Sequence, residues 1–190
     1  LHLGDRPHAH PVHRSDEFVK LVEQTVAKQG TVLIPAFSIE RTQELLYAFA
    51  LHQADPAITN VPIFLDSPMA IAATEVFKDY PELYDTEAAG LHDHGREFFR
   101  FPNLHVTRTI DASKAIAHAP NPKIIVAGSG MMTGGRIRYH LRNYLADPTT
   151  TLLIVGYQAV GTLGRQIQEG MRTVRIMGER ISVRAKVLSI

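Results

Sequence analysis

The spacing of apolar and polar positions changes period along the chain, and each change marks an element. From Ser15 the period is helical: Phe18, Leu21, Val22 and Val26 share a face, Ser15 stands at the cap position, Asp16 and Glu17 fall in the first turn, and Gly30 ends the pattern. Thr31 to Ala36 (TVLIPA) is an apolar run too short for a helix and predicts a buried strand. Phe37 and Ser38 lead into a second helix that opens with Glu40, Arg41, Gln43 and Glu44 and turns Leu45, Leu46 and Phe49 inward. The unit then repeats. Pro62 to Asp66 (PIFLD) predicts a strand, Ser67 an N-cap with Pro68 at the first helical position, and Met69, Ala72, Val76 and Phe77 an apolar stripe that belongs to a core.

Between Asp79 and Pro102 the period is lost, which predicts loop and short helix. Leu104 to Thr107 predicts a strand and Asp111 caps a short helix through Ala117. Lys123 to Ala127 (KIIVA) and Thr151 to Val155 (TLLIV) predict two more buried strands, separated by a helix with Ile137, Leu141, Tyr144 and Leu145 on its apolar side and broken by Asp147-Pro148. Val174 to Ile190 alternates, with Ile181, Val183, Ala185 and Val187 opposite Arg180, Ser182, Arg184 and Lys186. That predicts a hairpin turning at Gly178-Glu179 and carrying a basic stripe, a solvated edge or a surface for a phosphate backbone. Strand alternating with helix, with continuous apolar strands, predicts an α/β fold: an open, mostly parallel sheet with helices on both faces and a C-terminal basic β-hairpin.

Candidate chemistry gathers where strands end. Gly128-Ser129-Gly130-Met131-Met132-Thr133-Gly134-Gly135-Arg136 joins a strand to a helix, and four glycines there admit sharp turns and close approach of a ligand. The first N–H groups of the following helix lack partners and sit at its positive end, which suits an anion, a phosphate above all. A tight turn without a ligand is the alternative, and the same choice holds for Gly156 to Gly164. The spacing is neither G-x-G-x-x-G nor a Walker loop, so no nucleotide cofactor is indicated. Ser38, Ser67, Ser129 and Gly156 all follow strands, and in a parallel sheet those ends share one edge and converge on one cleft. Arg41 opens a helix at that edge, with a surface ion pair to Glu40 or Glu44 as its alternative role.

Composition narrows the partners little. The chain has 190 residues, 45% hydrophobic and 21% charged, enough for one well-buried core or one domain with an appendage. A net charge of +1 and a pI near 8.2 leave any nucleic-acid surface to local clustering. The absence of cysteine excludes disulfides, thiolate zinc sites and a cysteine nucleophile. No run approaches the roughly 18 apolar residues that span a bilayer, and no signal pattern opens the chain, so a soluble cytoplasmic protein without a membrane partner is expected. Leu1 in place of Met suggests a start inside a longer gene product. His92 and His94 lack a third convergent ligand.

Six motifs, in order, resemble one family: Gly4-Asp5-Arg6; Leu33-Ile34-Pro35-Ala36-Phe37 with Arg41-Thr42-Gln43-Glu44-Leu45-Leu46; Leu65-Asp66-Ser67-Pro68-Met69-Ala70; Ala127 to Arg136; Val155-Gly156-Tyr157-Gln158 with Gly161-Thr162-Leu163-Gly164; and Val183-Arg184-Ala185. From about Gly4 to Val187 the chain is similar to the β-CASP domain of metallo-β-lactamase-fold RNA nucleases, bacterial and archaeal relatives of the cleavage-and-polyadenylation endonuclease. The resemblance implies a two-domain enzyme. A metallo-β-lactamase domain holds two zinc ions, the β-CASP domain is inserted into it and caps the active site, RNA lies between them, and a zinc-activated hydroxide attacks the phosphate. The family's zinc-ligand motifs fall outside the matched region. His8-Ala9-His10-Pro11-Val12-His13 has the histidine spacing of H-x-H-x-D-H, but Val12 replaces the Asp, no strand precedes it, and it aligns with a variable loop. Leu1-His2-Leu3 stands where the family has Ser-Thr-Tyr.

Together with the resemblance, these readings lead us to expect an RNA-binding, capping domain of a zinc-dependent ribonuclease that alone does not cleave. Residues 1–14 form a connecting segment, 15–173 the β-CASP domain, and 174–190 the strands leading back to the metallo-β-lactamase domain. Strand-end placement and resemblance nominate Arg41, Ser67, Ser129, Gly130, Met131, Met132, Arg136 and Gln158 for RNA phosphate, with no catalytic or metal-ligating residue in the chain. RNA and the metallo-β-lactamase domain of the same parent are the expected partners, and a homodimer of the parent stays open. Two other classes compete: a stand-alone α/β binding or scaffold domain, and a small-molecule hydrolase built on His8, His10 and His13.

Overall fold

The structure, a computed structural model, describes residues 11–190. His8, His10 and the motif they open lie outside the described residues, as does the side chain of His13. The described strands are β1 (Thr31–Pro35), β2 (Ile63–Asp66), β3 (Leu104–Val106), β4 (Lys123–Ala127), β5 (Thr151–Ile154), β6 (Thr173–Ile176), β7 (Glu179–Ser182) and β8 (Lys186–Ser189). The helices are α1 (Pro11–Val26), α2 (Arg41–Leu51), α3 (Pro56–Thr59), α4 (Pro68–Asp79), α5 (Thr86–Asp93), α6 (Ile110–Ala115), α7 (Ile137–Tyr144) and α8 (Leu163–Gln168). Six strands form one sheet in the order β3-β2-β4-β1-β5-β8, each pairing parallel, and β6 and β7 form a separate antiparallel hairpin.

Strand side chains alternate faces, so the apolar runs feed two cores at once. Val32 and Ile34 of β1, Ile124 and Val126 of β4, and Leu153 of β5 pack with Phe18, Val22, Leu46, Phe49 and Ile71 from α1, α2 and α4. Their neighbours Leu33, Ile125, Leu152 and Ile154 face the opposite way, onto Ile137 and Leu141 of α7, Ile167 of α8 and Val174 and Ile176 of the hairpin. Helices thus cover both faces, as the continuous apolar strands require.

Four local expectations are corrected. The expected core stripe of α4 is not the buried one: Met69, Ala72 and Val76 are exposed and Phe77 half-buried, while Ala70, Ile71 and Thr74 are buried, because the apolar residues of this helix ring it on more than one side. Helix α1 begins at Pro11 rather than near Ser15, because proline is tolerated in a first turn whose N–H groups have no intrahelical partner. The cap of α6 is Thr109, whose hydroxyl accepts from the Ala112 N–H at 3.1 Å, and Asp111 lies one residue inside the helix. The alternating tail is also not one hairpin. Met177 and Gly178, both at positive φ, make the two-residue turn between β6 and β7, and the chain then bends where the Arg184 and Ala185 N–H groups donate to the Leu145 carbonyl. Lys186 onward runs parallel to β5 as an edge of the main sheet. Period-two alternation identifies a strand but not its partner. No described helix is long and apolar enough to cross a membrane.

Phe49 is fully buried and meets the Phe18 ring edge-on, with centroids 5.1 Å apart. Phe49→Ala should destabilise the fold by about 3–5 kcal/mol, seen as a lower urea midpoint with an unchanged slope. A loss below about 1 kcal/mol would mean that this face of the sheet does not depend on the α1–α2 contact.

Candidate functional site

In an open parallel sheet a crevice forms where neighbouring strands send their helices to opposite faces. Here β4 lies between β2 and β1. After β1 and β2 the chain turns into α2 and α4, which pack on one core, whereas after β4 it turns into α7 on the other. The residues just past these strand ends therefore face one another across the Gly128–Gly135 turn. Ser38 and Ser67 hydroxyls stand 3.4 Å apart beside Gly128, so the expected convergence of strand-end turns is present in the geometry.

The turn is built by short-range chemistry. The Ser129 N–H donates to the Gly134 carbonyl at 3.3 Å, the Gly134 N–H donates back to the Ser129 hydroxyl at 3.2 Å, and the Ile137 N–H donates to the Gly128 carbonyl at 3.0 Å. Gly135 sits at φ +71°, and a Cβ there would collide with the Gly128 carbonyl oxygen, so no side chain fits this closure. Gly130 serves a different contact. The Phe37 ring lies against it so closely that a Cβ would come within 2.7 Å of Cδ2. Phe37 stays 40% exposed. Met132 takes φ +60° with its side chain fully buried in the core, which anchors the turn from below.

The nominated residues divide by environment. Gln158 is buried, and its amide donates to the Gly130 carbonyl at 2.9 Å and the Gly156 carbonyl at 3.1 Å, which pins the two small-residue turns together. Ser67 is buried and caps α4, accepting from the Ala70 N–H at 3.3 Å. The Met132 N–H is committed to the Ser129 carbonyl at 3.0 Å. The Gly130 and Met131 N–H groups have no hydrogen-bond partner among the described residues. Arg41 opens α2, is 40% exposed, and pairs with Glu44 one turn on. Arg136 is only 16% exposed, and its guanidinium donates at 2.7 Å to both the Asp66 carboxylate and the Thr107 carbonyl.

Asp66 escaped the sequence reading as a site residue. Fully buried at the end of β2, its carboxylate accepts from Thr107 at 2.5 Å, Ser113 at 2.6 Å, Arg136 at 2.7 Å and His140 Nε2 at 2.6 Å. Burial alone would raise its pKa. The hydrogen bonds from His140, Ser113, Thr107 and Arg136 together outweigh that and hold it at about 2. Arg136, nominated for phosphate, and His140 are both turned inward onto this carboxylate. A signal was available: a carboxylate closing an apolar strand must find donors.

A large apolar groove of about 1180 Å³ lies beside the crevice, lined by Tyr47, Phe77, Tyr84 and Phe98 among others, and shares Arg41, Gln43, Gly156 and Tyr157 with the strand-end edge. It lacks the turn's N–H donors, so the crevice is the better anion site. Among the described residues no three histidine, aspartate, glutamate or cysteine side chains come together to hold a metal.

Asp66→Asn leaves the Arg136 charge buried without its counter-charge and should cost about 3–5 kcal/mol in urea unfolding. Because the folded-state pKa is depressed to about 2, the Asp66 contribution of about 2 kcal/mol is fully present above the unfolded carboxylate pKa. It is lost as pH falls from about 5 towards 2. The variant should lack that part of the acid limb, and an acid limb identical in both proteins would remove Asp66 as its source.

A Beta-Casp domain model matches residues 42–167, from the second residue of α2 through most of α8. The chain is 40% identical over 184 residues to Ribonuclease TTHA0252 of Thermus thermophilus, which covers 97% of this chain and 42% of that protein. It is 32% identical over 160 residues to the transcription termination factor FttA of Methanosarcina mazei, covering 84% of this chain and 25% of the relative. To an RNase J-like protein of Methanocaldococcus jannaschii it is 30% identical over 174 residues, covering 92% and 39%. The chain thus spans less than half the length of these relatives. With the family model matched over about two thirds of the chain, including β2, β4, β5 and the turns that follow them, the chain belongs to the Beta-Casp family.

Proposed function

We propose that this chain is the RNA-holding, capping part of a zinc-dependent ribonuclease, and that it grips the phosphates of an RNA strand at the crevice beside β4. The observation that carries this reading is the pair of unpartnered N–H groups, Gly130 and Met131, on the floor of a topological switch point. Two adjacent backbone donors are completed by an anionic oxygen, and RNA offers one at every nucleotide. The names of the relatives, ribonuclease and RNase J-like protein, agree with RNA as that ligand.

In this reading each nominated residue has a definite part. Gly130 and Met131 donate to phosphate, Ser129 fixes the turn that aims them, and Met132 anchors it in the core. Ser67 and Gln158 hold the flanking turns at their spacing. Arg41 exchanges its exposed partner Glu44 for phosphate, because such a surface pair stabilises little. Arg136 acts through Asp66, setting the turn rather than meeting the strand.

When bound in the parent enzyme, zinc would supply the hydroxide nucleophile and neutralise developing charge. The described residues do not fit that ion, since they contain no three-ligand cluster. Its ligands belong to a metallo-β-lactamase domain of the same parent, to which residues 174–190 lead back, and the chain alone is inactive. Its contribution to catalysis is to hold the strand in register, converting a bimolecular encounter into a positioned one.

The test is a titration of single-stranded RNA at two salt concentrations. Affinity should fall linearly in log–log form with salt. Arg41→Ala should weaken binding about 3- to 10-fold, or about 1 kcal/mol, the upper end for an ion pair at a partly exposed site. Gly130→Ala, which forces Phe37 or the turn to move, should weaken it further. Salt-independent binding, or binding indifferent to both substitutions, would overturn the phosphate-crevice reading.

A further inference from the structure

The net charge of +1 conceals an uneven distribution. Residues 136–184 contain eight arginines and three carboxylates, an excess of five positive charges, so the rest of the chain is net negative. All three carboxylates are engaged: Glu179 pairs with Arg142 at 3.6 Å, Glu169 with Arg165 at 2.7 Å, and Asp147 accepts from Thr149 at 2.8 Å. Arg138, Arg172, Arg175, Arg180 and Arg184 have no carboxylate partner among the described residues. Four of these five are exposed on or beside the β6–β7 hairpin.

The hairpin also places like charges together. Arg175 and Arg180 are directly opposed across the β6–β7 register, an arrangement that weakens a strand pair unless something neutralises it. The inner side of the same hairpin is anchored by Val174 and Ile176, so its backbone does not move to relieve the repulsion. A solvated edge designed only against aggregation would be served by lysine. This segment contains none, and apart from the buried His140 every basic residue from 136 to 184 is an arginine, whose planar fork matches phosphate oxygens.

These charges are connected to the crevice. Helix α7 starts where the Gly128–Gly135 turn ends, and along it lie Arg138 and, one turn on, Arg142. Tyr139 is exposed between them, with the Arg142 guanidinium 5.8 Å from its ring centroid. The Arg142–Glu179 pair then joins α7 to the start of β7. Basic side chains interleaved with an exposed aromatic ring are the footprint of a nucleic-acid backbone.

We propose that α7 and the β6–β7 hairpin form a second RNA-backbone surface, continuous with the crevice, over which a strand held at the turn is extended. Arg138, Arg175 and Arg180 neutralise its phosphates, and Tyr139 lies beside its bases. The inference takes RNA as ligand from the crevice reading, but it rests on a separate set of residues.

The experiment compares two single-stranded RNAs, one of about 4 and one of about 16 nucleotides, the range of site sizes seen for single-strand binders. They are titrated across salt against the purified protein in the full length its gene encodes. Arg175→Ala/Arg180→Ala should reduce the salt slope for the long RNA by about 1.4, or about 0.7 per lost phosphate contact, and leave the short RNA unaffected. Arg175→Lys/Arg180→Lys should keep most of the slope, and Arg172→Ala/Arg184→Ala provides a second pair should the first fail to fold. An unchanged slope for the long RNA, or an equal loss for both lengths, overturns the proposal. Arg41→Ala should weaken both lengths alike. If it does not while the hairpin variant acts on the long RNA, the crevice reading fails and the hairpin surface stands.

Discussion

One buried carboxylate sets the frame of the crevice. Asp66 ends β2 and collects donors from the loop after β3, from α6 and from α7, so four elements that are distant in sequence meet at two oxygen atoms. An unpaired carboxylate there would be driven to neutralise, and four donors make the charged form the stable one. Arg136 is the last residue of the glycine turn and His140 lies one helical turn further. Holding both on Asp66 fixes the direction in which α7 leaves the sheet and the spacing between the β2 end and the turn.

Within that frame the turn's shape follows from steric exclusion as much as from attraction. Gly135 closes the loop against the Gly128 carbonyl, and Gly130 lets an aromatic ring lie on the backbone. Gln158 ties the two turns after β4 and β5 by donating to a carbonyl in each. Backbone and side-chain N–H donors thus engage the carbonyls on this floor, while the N–H groups of Gly130 and Met131 have no partner among the described residues. A floor with donors to spare and carbonyls engaged selects an anion.

Charge follows the same division of labour. The arginines that line the hairpin and α7 lie towards the C-terminal third of the chain, whereas the aromatic groove between α2, α4 and α5 has carboxylates such as Asp85 and Glu87 on its rim. The two regions thus differ in the sign of their charge, although the sum of charges is almost zero.

Much of this was legible in one dimension, because local periodicity is a local property. TVLIPA, PIFLD, KIIVA and TLLIV read as buried strands, Ser67-Pro68 as a helix start, and the glycine run as a strand-to-helix turn; each is set by residues within a few positions of one another. The meeting of the Ser38 and Ser67 turns, two of the four expected to converge, also followed from the rule that parallel strand ends share an edge. Pairing partners did not follow, because alternation is the same whether a strand closes a hairpin or joins a sheet, and so Lys186–Ser189 was placed in the hairpin rather than beside β5. Nor did the fates of the charges. Arg41 and Arg136 look alike in the sequence, and both follow strand ends. Only the sheet order, which sets Asp66 beside β4 some 70 residues before Arg136, makes one a buried tether and leaves the other at the surface. The chain by itself determined which stretches are strand, turn and helix; long-range pairing decided which polar groups are spent on one another and which remain for a ligand.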